Sequence, residues 1–98
     1  AEIAYHRELP LVINDAGVVD TLRDLGTELL GAENVAEIAT PSMGGEDFSL
    51  YLEQVPGALF RLGVGPGRPA LHASTFDFND DALATGMLML AGYVLREP

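Results

Sequence analysis

The chain has 98 residues, 48% of them apolar, which suits one small domain with a modest core and argues against compositional disorder. Fifteen acids against five basic residues give a net charge of −10, the opposite of a nucleic-acid footprint and unsuited to an anionic membrane surface. There is no cysteine, so disulfides and thiolate metal sites are excluded, and no apolar run approaches the roughly 20 residues of a membrane span.

In chain order, "EIAYHREL" (2–9) alternates loosely, with Ile3, Tyr5, Arg7 and Leu9 on one face, and reads as a half-exposed strand ended by Pro10. His6 is expected to be a surface residue of that strand. "VIND" leads into a helix over Ala16–Leu30, with Asn14 or Asp15 as N-cap. Val18, Leu22, Leu25 and Leu29 form its apolar stripe, and Gly31 suits a left-handed residue just past its end. "NVAEIAT" (34–40) reads as a second strand.

"PSMGGEDFSLYLEQVPG" (41–57) reads as a glycine-punctuated loop feeding a helix. Glu46 and Asp47 fall near its positive end, Phe48, Leu52 and Val55 form its buried stripe, and Pro56-Gly57 stops it. "ALFRLGV" (58–64) is nearly continuous apolar, as in a strand covered on both faces. A loop follows, and then "RPALHASTFDFNDD" (68–81). Asn79 is the expected N-cap of the last helix, with Asp80 and Asp81 in its first turn. Leu83, Met87, Leu90 and Val94 form its stripe, and Arg96 suits its end. The order is β-α-β-α-β-α, which predicts an α/β layered unit with some parallel pairing.

Few residues can carry chemistry. There is no Gly-x-Ser-x-Gly elbow and no Walker loop, and Pro66 interrupts the glycine-rich "GVGPG". His72 stands in an irregular segment after an expected strand, on the side where α/β sheets place ligands. Its residue type leaves two readings open, an ordinary loop histidine or a metal ligand. One histidine does not complete a metal site, which usually takes about three protein ligands. "GGED" is open as well: a turn that sets up a helix, or glycines that let backbone N–H groups approach a carboxylate or oxyanion.

Taken together, "PSMGGEDFSLYLEQVPGALFRLGVG" and "LHASTFDFNDDALATGMLMLAGYVL" resemble the C-terminal part of the dizinc amidohydrolases. That group includes hippurate hydrolase, N-acyl-L-amino-acid amidohydrolase and indole-acetyl-amino-acid hydrolase, within the aminoacylase and carboxypeptidase-G metallopeptidase family. "YHRELPLVINDAGVVDTL" resembles the family's segment leaving its inserted lid domain, so the resemblance covers nearly the whole chain.

The resemblance implies a longer parent with a zinc-peptidase-like αβα sandwich and an inserted α+β satellite, or lid, domain. Residues 1–13 would be the last satellite strand and 14–98 the final catalytic segment. It also implies that His72 is a metal ligand and that Met43, Gly44, Gly45, Glu46 and Asp47 form a loop of the substrate pocket. Two departures bear on loop shape: Gly45 stands where the family often has serine, and Ala73-Ser74 where it often has serine-proline.

The implied cofactor of the parent is a pair of divalent metal ions, zinc first, with manganese, nickel or cobalt as alternatives. The implied reaction is hydrolysis of the amide bond of an N-acyl amino acid by metal-bound hydroxide. The general base and the other ligands would lie upstream, so no catalytic residue is expected on this chain. The chain alone is expected to be inactive and to retain no metal. Its expected partners are the small-molecule substrate, the remainder of the parent and a second copy in a homo-oligomer. No nucleic acid or membrane partner is expected, and the expected location is the cytoplasm. The chain opening on Ala1, with a strand pattern already under way, fits the expectation of a piece of a longer protein. The alternative is a non-catalytic binding module that kept the fold.

Overall fold

The computed structural model describes residues 1–6 and 9–96. Arg7 and Glu8, inside the strand expected over 2–9, lie outside the described residues. The elements are α1 (Ala16–Leu30), a 3₁₀ turn (Ala32–Asn34), α2 (Ser49–Leu52) and α3 (Asp81–Arg96). They belong to two compact units. One comprises Ala1–Thr21 and Glu37–Leu59, the other Leu22–Ala36 and Phe60–Pro98. No helix is long and apolar enough to cross a membrane among the described residues.

Helix α1 has the expected bounds. Asp15 is its N-cap, since the Val18 N–H donates to Asp15 Oδ1 at 3.0 Å and the Val19 N–H to the Asp15 carbonyl at 3.0 Å. Such a cap satisfies amides that the first turn leaves without intrahelical partners. Asn14, the other expected cap, does something else. Its side-chain amide donates to the Leu59 carbonyl at 3.0 Å, and its side-chain oxygen accepts from the Leu59 N–H at 2.9 Å. Beside it, the Asp15 N–H donates to the Gly57 carbonyl at 2.9 Å. These three bonds tie the entry of α1 to residues 57–59 within the first unit.

At the far end of α1, Gly31 has φ +90° and ψ 144°. The positive φ was expected, but ψ lies outside the left-handed helical region. The conformation favours glycine for lack of a Cβ. The Gly31 N–H bonds to the Thr27 carbonyl, and Asn34 Nδ2 caps the Leu30 carbonyl at 2.8 Å.

The expected β-α-β-α-β-α order is not what the described residues show: they contain helices and turns but no strand. The reason is physical. A strand exists only through a ladder to a neighbour, and an unpaired extended segment has none. Val35 does have extended backbone, at φ −115° and ψ 116°, yet no strand is formed over 34–40. In 58–64, side chains take the place of a ladder. Asn14 satisfies both backbone groups of Leu59, and Asn79 Nδ2 donates to the Val64 carbonyl at 3.3 Å. Nor is this segment covered on both faces. Leu62 and Val64 are half-buried, while Leu59 and Phe60 are exposed. Residues 1–6, expected as part of the last satellite strand, are all exposed and unpaired with any strand.

Helix α2 is one turn long, shorter than the stretch expected before Pro56. Phe48 and Leu52 are half-buried as expected, but Val55 is exposed. After Leu52 the chain closes into turns, with the Gln54 and Val55 N–H groups both bonded to the Tyr51 carbonyl.

The second unit holds the apolar residues that are fully buried among those described: Leu25, Ala82 and Met89. They mark a seam between the later turns of α1 and α3. A Cβ placed on Gly92 would lie 3.0 Å from a Leu25 methyl, and one placed on Gly26 would lie 3.0 Å from a Val35 methyl and 3.6 Å from Met89. Small residues here let the two helices approach closely. Arg96 donates to the Glu28 carboxylate across the same pair of helices.

Helix α3 begins as expected. Its first N–H, of Asp81, donates to Asn79 Oδ1, the Ala82 N–H to the Asn79 carbonyl, and Asp81 and Arg96 complement the helix dipole at either end. Its buried side is a correction. Leu83, Met87, Leu90 and Val94, expected to face the core, are 52%, 65%, 62% and 71% exposed. The buried side carries Ala82 and Met89, flanked by half-buried Thr85, Gly86, Gly92 and Tyr93. On this side a Cβ added at Gly92 would lie 3.0 Å from a Leu25 methyl and 3.3 Å from a Leu29 methyl.

Candidate functional site

Two loops carry the candidate residues. The first, in the first unit, runs through Met43, Gly44, Gly45, Glu46 and Asp47, all exposed, with Met43 at 97%. It is held by its own short-range bonds. The Gly44 N–H donates to Ser42 Oγ at 3.2 Å, and the Phe48 N–H to Glu46 Oε1 at 3.2 Å. The Glu46 carbonyl accepts from the Ser49 N–H at 3.1 Å and from the Ser49 hydroxyl at 2.6 Å. Ser49 is 1% exposed, so its hydroxyl needs that partner.

Glu46 therefore works as a turn-closing residue through both its carboxylate and its carbonyl, which is the local reading of "GGED". The Asp47 carbonyl starts the next turn by accepting from the Leu50 N–H. Sequence reasoning missed Ser42 and Ser49. The pattern Ser-x-Gly before the acids, and serine three residues after Glu46, is the signal that would have found them.

The second loop, in the second unit, spans 68–77 and carries His72. The Ala73 N–H donates to the Ala70 carbonyl at 3.1 Å, closing a turn with Leu71 and His72 at its centre. His72 has φ +67°, the one positive φ at a non-glycine residue among those described. Positive φ at the second central position alone is the pattern of a type II turn, where glycine or asparagine is preferred. A side chain held there costs about 1–2 kcal/mol. A second turn follows, closed by the Phe76 N–H on the Ala73 carbonyl at 2.9 Å.

The ends of this loop are tied together. Arg68 Nη1 donates to the Asp77 carbonyl at 3.1 Å and lies 3.6 Å from Asp77 Oδ2. From sequence, Asp77 stood out only as an acid near His72, and Arg68 did not stand out at all. An arginine and an aspartate bracketing a ten-residue segment centred on a histidine was the available signal. His72 itself is exposed.

No three His, Cys, Asp or Glu side chains come together as a metal-binding group among the described residues. The described residues by themselves therefore do not assemble a complete metal site. What His72 fits is a single exposed imidazole donor. An open depression in the first unit, lined by residues 13–16 and 52–57, contains none of the expected site residues, and its Asp15 is engaged as the α1 cap.

A family model described as "Peptidase family M20/M25/M40" matches residues 1–96. The chain belongs to this peptidase family. A Synechocystis sp. protein named "Probable hydrolase sll0100" is 40% identical over 92% of this chain, and the match spans 24% of that protein. An Arabidopsis thaliana protein named IAA-amino acid hydrolase ILR1-like 2 is 30% identical over 90% of this chain and 20% of its own length. A Rhodococcus jostii protein that bears a glutamate–cysteine ligase name is 41% identical over 98% of this chain, which is 12% of that protein. The chain thus spans about a quarter or less of the curated relatives it matches. No solved structure matches it significantly.

Proposed function

We propose that this chain is the C-terminal segment of a metal-dependent amidohydrolase of the M20 family that cleaves the amide bond of N-acyl amino acids. His72 donates one ligand to a divalent metal of the whole protein, zinc first among the candidates. The Met43–Asp47 loop forms part of the wall of its substrate pocket. Residues 34–40 and 58–64 join the sheet of a zinc-peptidase-like catalytic domain begun at residue 14, and residues 1–13 leave a satellite domain. The general base lies outside these 98 residues, so the chain alone does not turn over substrate.

The observation that carries the reading is the conformation of His72. An exposed side chain held at φ +67° in a turn that favours glycine has no packing reason for being histidine. Strained, exposed backbone of this kind concentrates at functional sites, and imidazole is the commonest protein metal ligand. The family match and the amino-acid-conjugate hydrolase name of the Arabidopsis relative support the reaction class. A bound metal of this type polarises an amide carbonyl and activates water. No step of that reaction is assigned to the residues of this chain.

The test is His72→Ala in the whole protein, followed by metal analysis and hydrolysis of an N-acyl amino acid such as N-benzoylglycine. Metal content and turnover should fall together. Full metal content with His72 gone would remove the ligand assignment.

A further inference from the structure

Arg68 and Asp77 close the loop that carries His72. From this geometry we infer that Arg68 is a positioning residue, holding the His72 turn in the strained conformation that presents the imidazole. The inference deepens the reading of His72 as a ligand and, as far as metal binding is concerned, rests on it.

A type II turn with histidine at its second central position does not hold itself, because the unstrained alternatives for that residue lie at negative φ. Its Ala73-to-Ala70 bond spans only the turn, and the next bond, Phe76 to Ala73, only the turn after it. Neither contact fixes the separation of the loop's ends. Arg68 does. Its guanidinium reaches nine residues ahead to the Asp77 carbonyl at 3.1 Å, with the Asp77 carboxylate at 3.6 Å.

The Arg68 side chain is 32% exposed, whereas that of Asp77 is 86% exposed. The arginine is thus the less exposed partner, and the carbonyl, at hydrogen-bond distance, is its main anchor. Just beyond Asp77, Asn79 is fixed to Val64 and caps α3. The downstream end of the loop is therefore anchored to the start of a helix, and Arg68 fastens the upstream end to it. Groups that orient a metal ligand without touching the metal commonly cost 10–100-fold in metal affinity when removed.

The experiment uses the whole protein with Arg68→Ala, Arg68→Lys and Asp77→Ala. The first readout is amide hydrogen exchange at Ala73 in metal-free protein. Arg68→Ala should speed it at least about tenfold, while amides in α1 and α3 stay unchanged. Arg68→Lys, which keeps a donor able to reach the carbonyl, should restore part of the protection. Asp77→Ala, which leaves the carbonyl in place, should do less than Arg68→Ala.

The second readout is the affinity for added zinc, expected to weaken about 10–100-fold in Arg68→Ala. Unchanged Ala73 exchange in Arg68→Ala would overturn the inference. So would an Asp77→Ala effect as large as that of Arg68→Ala, because the carboxylate would then be the anchor. If exchange responds but zinc affinity is unchanged in both Arg68→Ala and His72→Ala, the clamp stands and the ligand reading fails. If Arg68→Ala does not fold, the smaller Asp77→Ala and Arg68→Lys effects on exchange decide the matter in the same direction.

Discussion

Within the second unit, the seam between α1 and α3 and the loop around His72 are built on opposite terms. At the seam, packing accounts for the residues. Leu25 and Met89 are buried, and Gly26 and Gly92 sit where a larger side chain would meet a neighbour. In the loop, nothing buries His72, and its backbone favours a different residue. The seam is what it must be for folding. The loop holds a residue that folding does not ask for, and that contrast makes His72 the functional candidate.

Substitutions can break or sharpen this contrast. The largest effect belongs to the seam. Leu25→Ala should cost about 2–5 kcal/mol, read from a denaturant melt, because it leaves a cavity that the two helices cannot fully close. Gly92→Leu should cost about 1–3 kcal/mol by overpacking against Leu25 and Leu29. The loop should respond in the other direction. His72→Gly relieves the positive φ at some cost in chain entropy and should raise stability by up to about 1 kcal/mol. A loss of more than about 1 kcal/mol there would mean that the imidazole is packed and the contrast false.

The smallest effect is expected on the outer side of α3. Met87→Gln should shift the stability of this chain by less than about 0.5 kcal/mol. It should also reduce self-association of the isolated chain in light scattering, since contiguous exposed apolar residues of this kind seek a cover.

The same helices show what could be read in advance. Helix α1 carries its apolar residues at helical spacing, so both of its ends and most of its stripe were legible, with Leu25 buried and Val18 and Leu22 half-buried but Leu29 41% exposed, and its cap was narrowed to Asn14 or Asp15. Helix α3 is apolar nearly all round: Leu83, Met87, Leu88, Leu90, Val94 and Leu95 are exposed, beside buried Ala82 and Met89. Periodicity there offers several stripes, and bulk favoured the wrong one. Close approach at Gly92 selected the side with the small residues, a choice that depends on α1 and is invisible within α3.

The expected strands have no ladder among the described residues for a related reason, because pairing is non-local. The backbone of Leu59 is satisfied by Asn14, 45 residues away, through a side chain that local pattern assigned to a helix cap. At the site, the residue types and the turn at "GGED" were legible. The strain at His72 is a fact of backbone geometry with no signature in composition, and the reach of Arg68 to Asp77 showed in sequence only as an arginine and an aspartate bracketing the histidine.

The most direct measurement is the metal stoichiometry of the whole protein carrying His72→Gly, set beside the unaltered protein under the same zinc load. Glycine suits the turn, so the backbone should stay as it is while the imidazole is removed. The account predicts that the variant is at least as stable as the original when both are metal-free, and that under the zinc load it has lost at least one equivalent of zinc. Full zinc stoichiometry in that variant would contradict it.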